Sequence, residues 1–183
     1  MRTHKLCRRR LPLGLVLGLA ALGASPSMAA AAAPDYFAAA LCQPPYSLDS
    51  ADRLSHAAEA LGKPDMTMLG IARFHLPKPI ERDGFVAQDV IFASSAYGLL
   101  LDGEVAKEAA RRYNLTRETF DLMGASSEGY AWALPDSQQD KERGVVSIVA
   151  RQSEVIPGKT LLMCELVSPA DRAALEMMAR EQP

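Results

Sequence analysis

The chain has 183 residues, about half of them apolar, enough for one core once its leader is set aside, and its 20 basic and 22 acidic side chains leave a formal charge of −2. Five of the basic residues lie in the first ten positions and none of the acids do, so the remainder carries 15 basic against 22 acidic side chains, a net −7. With no run of Lys and Arg, that balance argues against nucleic acid or an anionic membrane surface as partner and fits a cationic protein better.

Arg2, Lys5, Arg8, Arg9 and Arg10 precede an apolar run at 11–22, and small residues fill 25–33. This is the pattern of a secretory signal peptide over residues 1–29, cut after Ala29 or a few alanines later, up to 33. The run is too short for a membrane span, and Cys7 lies before it, on the wrong side for a lipid anchor. The Arg8-Arg9-Arg10-Leu11 cluster reads as an ordinary basic n-region in preference to a twin-arginine signal. The expectation is a periplasmic or secreted protein whose mature part, 34–183, is a single domain. Two cysteines remain there, Cys42 and Cys164, with one possible pairing in an oxidising compartment. A disulfide is preferred over a nucleophilic cysteine served by His56 or His75.

In chain order, Asp35 caps a short helix over 36–42 that Pro44 and Pro45 stop. A second helix starts at Asp49, with Ala51, Leu54, Ala58 and Leu61 on one stripe and Gly62 and Pro64 after its end. Alternation predicts a strand over 66–76 ended by Pro77, a polar loop over 77–84, and a partner strand from Phe85 to about Tyr97. A helix opening at Asp102 buries Val105, Ala106, Ala109, Ala110 and Tyr113 and closes at Asn114. Thr116 reads as the N-cap of another turn or two, with Leu115 and Phe120 as its hydrophobic staple and Gly124 as its stop.

A short strand at 129–134 places Tyr130 and Trp132 on one face, and a second polar loop covers 135–143. Strands over 144–154 and 160–167 then form a hairpin, because Pro157-Gly158 suits the central positions of a type II turn. Ser168 caps a last helix whose inner face is Ala170, Ala174, Met177 and Met178. The order α-β-β-α-β-β-β-α predicts an α+β domain with about five mainly antiparallel strands. By element order alone it resembles profilin-like and roadblock-like sheets, and that resemblance implies two-strand and three-strand halves joined through the first and last strands.

Catalytic and metal signatures fail on context. Ser127 in Ala-Ser-Ser-Glu-Gly lacks the strand-turn-helix setting of a nucleophile elbow, and His56 and His75 are isolated from any zinc-ligand spacing. Met66, Met68, Met177 and Met178 read as core filling rather than copper ligands. No cofactor is expected. The polar loops offer Lys78, Glu81, Arg82 and Asp83, and Asp136, Gln138, Gln139 and Asp140, as candidate partner contacts, with Tyr130 and Trp132 as an aromatic anchor. The leading expectation is a non-enzymatic, exported protein-binding domain, an inhibitor or immunity protein against an exported enzyme being one version. A small-ligand or lipid carrier, and a hydrolase using His75, Asp89, Ser127 and Glu128, are the alternatives.

Overall fold

Seven strands form one antiparallel sheet in the order β1-β2-β3-β7-β6-β5-β4 in the computed structural model, which describes residues 33–68, 70–119, 123, 127–139 and 142–181. The strands are β1 Ala72–Arg82, β2 Phe85–Ala93, β3 Ala96–Asp102, β4 Thr116–Arg117, β5 Glu128–Ala133, β6 Val145–Gln152 and β7 Lys159–Val167. Four helices accompany them: α1 Tyr36–Ala40, α2 Leu48–Glu59, α3 Ala106–Tyr113 and α4 Pro169–Glu181. The α+β class and antiparallel sheet match expectation, but the sheet has seven strands rather than about five. The predicted signal peptide lies outside the described residues, and among these no helix is long and apolar enough to cross a membrane.

Two meanders, β1-β2-β3 and β4-β5-β6-β7, meet along β3 and β7, where Leu99 pairs with Leu162 and Tyr97 with Cys164. The join therefore uses the last strand, as expected, but not the first, which lies at the sheet's edge. One of the two extra strands arises at Ser94-Ser95, where Ala93 pairs with Ala96, so the predicted single strand to Tyr97 is two; the other is the short β4. β1 runs from Ala72 through Pro77 and Pro79 rather than ending before them, and the predicted 77–84 loop shrinks to a turn at Asp83-Gly84. Proline is tolerated because β1 has a neighbour on one side only, and its register shifts between His75 and Ile80.

Local signals account for most other boundaries. Asp35 accepts a hydrogen bond from the Ala38 N–H at 3.0 Å to start α1, and Asn114 ends α3 in the left-handed conformation, φ +56°. α3 starts at Ala106 rather than near Asp102, because Asp102 belongs to β3 and pairs with Lys159. Side chains of neighbouring strands cap it: Thr160 Oγ1 accepts from the Val105 N–H at 2.9 Å, and Gln152 Oε1 from the Ala106 N–H at 2.8 Å. Thr116 does not cap a helix; it pairs with Ala131 as β4, while Phe120 and Gly124 lie outside the described residues. The Pro157-Gly158 turn is as expected, with Lys159 N–H donating to Ile156 C=O at 3.1 Å and Gly158 at φ +69°.

The first sheet face carries the main core: Tyr97, Leu99 and Leu101 of β3, Leu162 and Cys164 of β7, and Val146, Ile148 and Ala150 of β6 pack with Phe37 and Ala40 of α1 and Ala109 of α3. Cys42 and Cys164, both buried, are joined by a disulfide, Cα atoms 5.0 Å apart. α2 adds Ala51 and Leu54 to this core, but Leu48 and Leu61 stay exposed. The second face holds a smaller cluster, Ile91, Leu100, Val149, Ile156, Leu161 and Met163, partly covered by Met68, Ile71 and Met123. α4 reaches this side with Arg172, Leu175 and Glu176. Its predicted inner stripe is corrected: Ala170, Ala174 and Met177 are exposed, Met177 by 63%, and the Met178 side chain lies outside the described residues. Positions 172, 175 and 176 share one helical face, and 170, 174 and 177 lie nearly opposite.

Candidate functional site

The loop residues singled out by sequence do not gather into one surface. The 83–84 turn stands at the β5-start end of the strands and residues 135–139 at the other end, in the other half of the sheet. Lys78 and Glu81 are exposed on the edge strand. Arg82 bonds Asp35 at 2.6 Å and lies 5.7 Å from the Phe37 ring centre, while Asp83 receives Arg112 at 2.5 Å and the Tyr113 hydroxyl at 3.3 Å. The Arg112 hydrogen bond holds the Asp83 carboxyl below its ordinary range, and burial, with the Asp83 charge, pushes Tyr113 up to about 12. This turn is bolted to α1 and α3. Gln139 is likewise committed: its amide donates to Leu134 C=O at 2.7 Å and Val146 C=O at 3.0 Å and accepts from Val146 N–H at 2.6 Å. Asp136 and Gln138 are exposed, and Asp140 lies outside the described residues.

Tyr130 donates to Glu128 Oε1 at 2.5 Å and stacks under Arg117, 5.5 Å from the ring centre; Trp132, two residues on, is 37% exposed. His75 and Asp89 meet across β1 and β2 at 3.0 Å. Ser127 and Glu128 stand at the start of β5, four strand spacings from Asp89, or roughly 19 Å. The four residues of the hydrolase alternative are therefore not brought together.

The second face instead assembles residues that the sequence reading passed over. Arg151 of β6 sits between Glu118, just after β4, and Glu165 of β7. Its Nε and Nη2 donate to Glu118 at 2.8 and 2.6 Å, and its Nη1 and Nη2 donate to Glu165 at 3.1 and 2.8 Å. The three side chains are 9%, 12% and 19% exposed. Burial by itself would favour a neutral Arg151, and the two carboxylates overturn that and hold the guanidinium charged above its ordinary range. Gly129 makes this possible, because a Cβ there would stand 2.1 Å from Glu118 Oε2. One cation facing two anions leaves the cluster with a net −1.

The cluster lines two of three hollows that share walls and form one trough. The widest, about 680 Å³, has Thr67, Met68, Ile71, Met123, Val155, Ile156, Leu161 and Met163 around Arg151 and Glu165. The next, about 280 Å³, lies between the sheet and α4 and is bounded by Glu118, Val149, Arg151, Glu165, Arg172 and Leu175. The last, about 460 Å³, shares Val145, Val167 and Arg172 with it and ends at Leu134 and Pro169. At the wide end Val155 is 73% exposed. Thioether side chains on its wall adapt to varied apolar shapes. Among the described residues no three His, Cys, Asp or Glu side chains are grouped to hold a metal ion.

One sequence signal pointed here. Arg151 and Glu165 are the charged residues inside two apolar strands, but counting outward from Pro157-Gly158 as a two-residue turn sets Arg151 against Cys164 and Glu165 on the opposite face; the observed register, Arg151 against Leu161, comes from a wider loop and puts both on one face. Glu118 and the 67–71 segment carry no such signal. No protein-family model matches the chain, and neither the curated proteins nor the solved structures contain a significant match to it.

Proposed function

We propose that this chain is a non-enzymatic binding protein of the exported compartment whose trough receives an apolar segment of another protein. The observation that carries the reading is the trough of adjoining hollows on the second sheet face, with a wide, methionine-lined end and an exposed apolar rim at Val155. The separation of His75 and Asp89 from Ser127 and Glu128 favours binding over catalysis. An inhibitor or immunity protein is one version, consistent with the acidity of residues 34–183.

The test is capture by the mature, oxidised domain beside its V155N/M68Q variant, which makes the rim polar at one exposed and one half-buried position. A partner held by the first and lost by the second supports the reading. Equal retention by both moves the contact off the trough and refutes it. The volume of the wide end, about 680 Å³, also suits a small amphiphile. A bound small molecule released on denaturation and identified by mass spectrometry establishes that second reading instead.

A further inference from the structure

We infer that the segment taken by the trough carries a Lys or Arg, whose cation docks against Glu118 and Glu165 while its apolar neighbours fill the wide end. This rests on the trough being the binding site. Three observations carry it. Four of the five Arg151 N–H groups are already donated to the two carboxylates, so an incoming group meets mainly the outer lone pairs of Glu118 and Glu165 rather than an open guanidinium. The cluster keeps one uncompensated negative charge at the wall of the narrower, largely apolar hollow that adjoins the wide end through Arg151 and Glu165, where solvent screens it poorly and an added cation gains most. Arg172, on the opposite wall, forms no ion pair with either carboxylate among the described residues, and Glu176 beside it in the same hollow offsets its charge, so the surplus negative charge stays. The surplus acidity of residues 34–183 steers the same class of partner.

The experiment uses a short amphipathic peptide of Leu and Lys, its Gln and Glu counterparts, and the neutral dye N-phenyl-1-naphthylamine, with mature wild-type domain, E165Q and the exposed control E104Q at physiological salt. E165Q keeps the paired contact between Arg151 and Glu118, and thermal melting checks that it folds. The expected result is preference for the Leu/Lys peptide, weakened about fivefold to tenfold in E165Q and less than twofold in E104Q, with dye binding unchanged in both. Equal binding of the Gln peptide, or equal losses in E165Q and E104Q while the dye still binds, overturns the cation but leaves the trough. Loss of dye and peptide binding alike, in wild type, overturns both. Preference for dodecyl sulfate, or a dimer that E165Q dissolves, assigns the trough to an anionic amphiphile or a second copy and also overturns the inference.

Discussion

Replacing Arg151 by Met removes the cation between Glu118 and Glu165 and leaves two carboxylates, 12% and 19% exposed, facing each other. Four hydrogen bonds of 2.6–3.1 Å are lost with it. Removing one partner from a buried ion cluster costs about 3–5 kcal/mol, because the remaining charges are held out of water without compensation. A domain of this size loses stability in urea at roughly 2 kcal/mol per molar, so the midpoint falls by about 1.5–2.5 M. The triple variant R151M/E118Q/E165Q removes every charge together and should return to within about 1 kcal/mol of wild type. Urea denaturation of the oxidised domain of residues 34–183 followed by circular dichroism measures both. An R151M domain within about 1 kcal/mol of wild type, or a triple variant as unstable as the single, would refute the description of the cluster as buried and mutually compensated.

Other consequences are equally open to measurement. C42A/C164A removes a link between residues 122 apart in sequence, and loop-closure entropy sets a ceiling of about 5 kcal/mol on the loss; an unchanged urea midpoint would show that the link constrains nothing. Tyr113, whose ionisation lies at about 12, should appear in a phenolate absorbance titration as a late step missing from Y113F. Its folded pKa exceeds the unfolded value near 10, so its stabilisation is complete below about pH 10 and is lost between there and 12. D83N should bring the step part of the way back, burial being the larger cause; a step near 10 in wild type contradicts the contact. G129A should displace Glu118 and lower the urea midpoint, and the loss should shrink in an E118A background; additive effects would separate the two residues.

Helices and the β6-β7 hairpin were legible because their signals are local. Asp35 and Ser168 cap their helices, Asn114 closes α3, and Pro157-Gly158 turns the hairpin, each within a few residues. β3 was hidden because Ser94-Ser95 is a turn without Gly, Asn, Asp or Pro, inside an apolar run that reads as one strand. β1 was misplaced because a proline ends a central strand but not an edge strand, and edge position is a property of the whole sheet. The trough was out of reach for a related reason. Arg151 meets Glu118 from 33 positions away and Glu165 from 14, contacts that exist only once β4, β5, β6 and β7 are in register.

The position of β7 also governs when the domain can become whole. It is the last strand to be synthesised yet lies in the middle of the sheet, between β3 and β6. Until it arrives, the β1-β2-β3 meander presents the backbone edge of β3, with Leu99, Leu100 and Leu101, and Cys42 has no partner thiol. A chain delivered N-terminus first therefore waits, edge open, for nearly its full length. A premature stop between residues 153 and 159 leaves two unjoined half-sheets rather than a shortened protein, and an earlier one leaves the second half incomplete or missing.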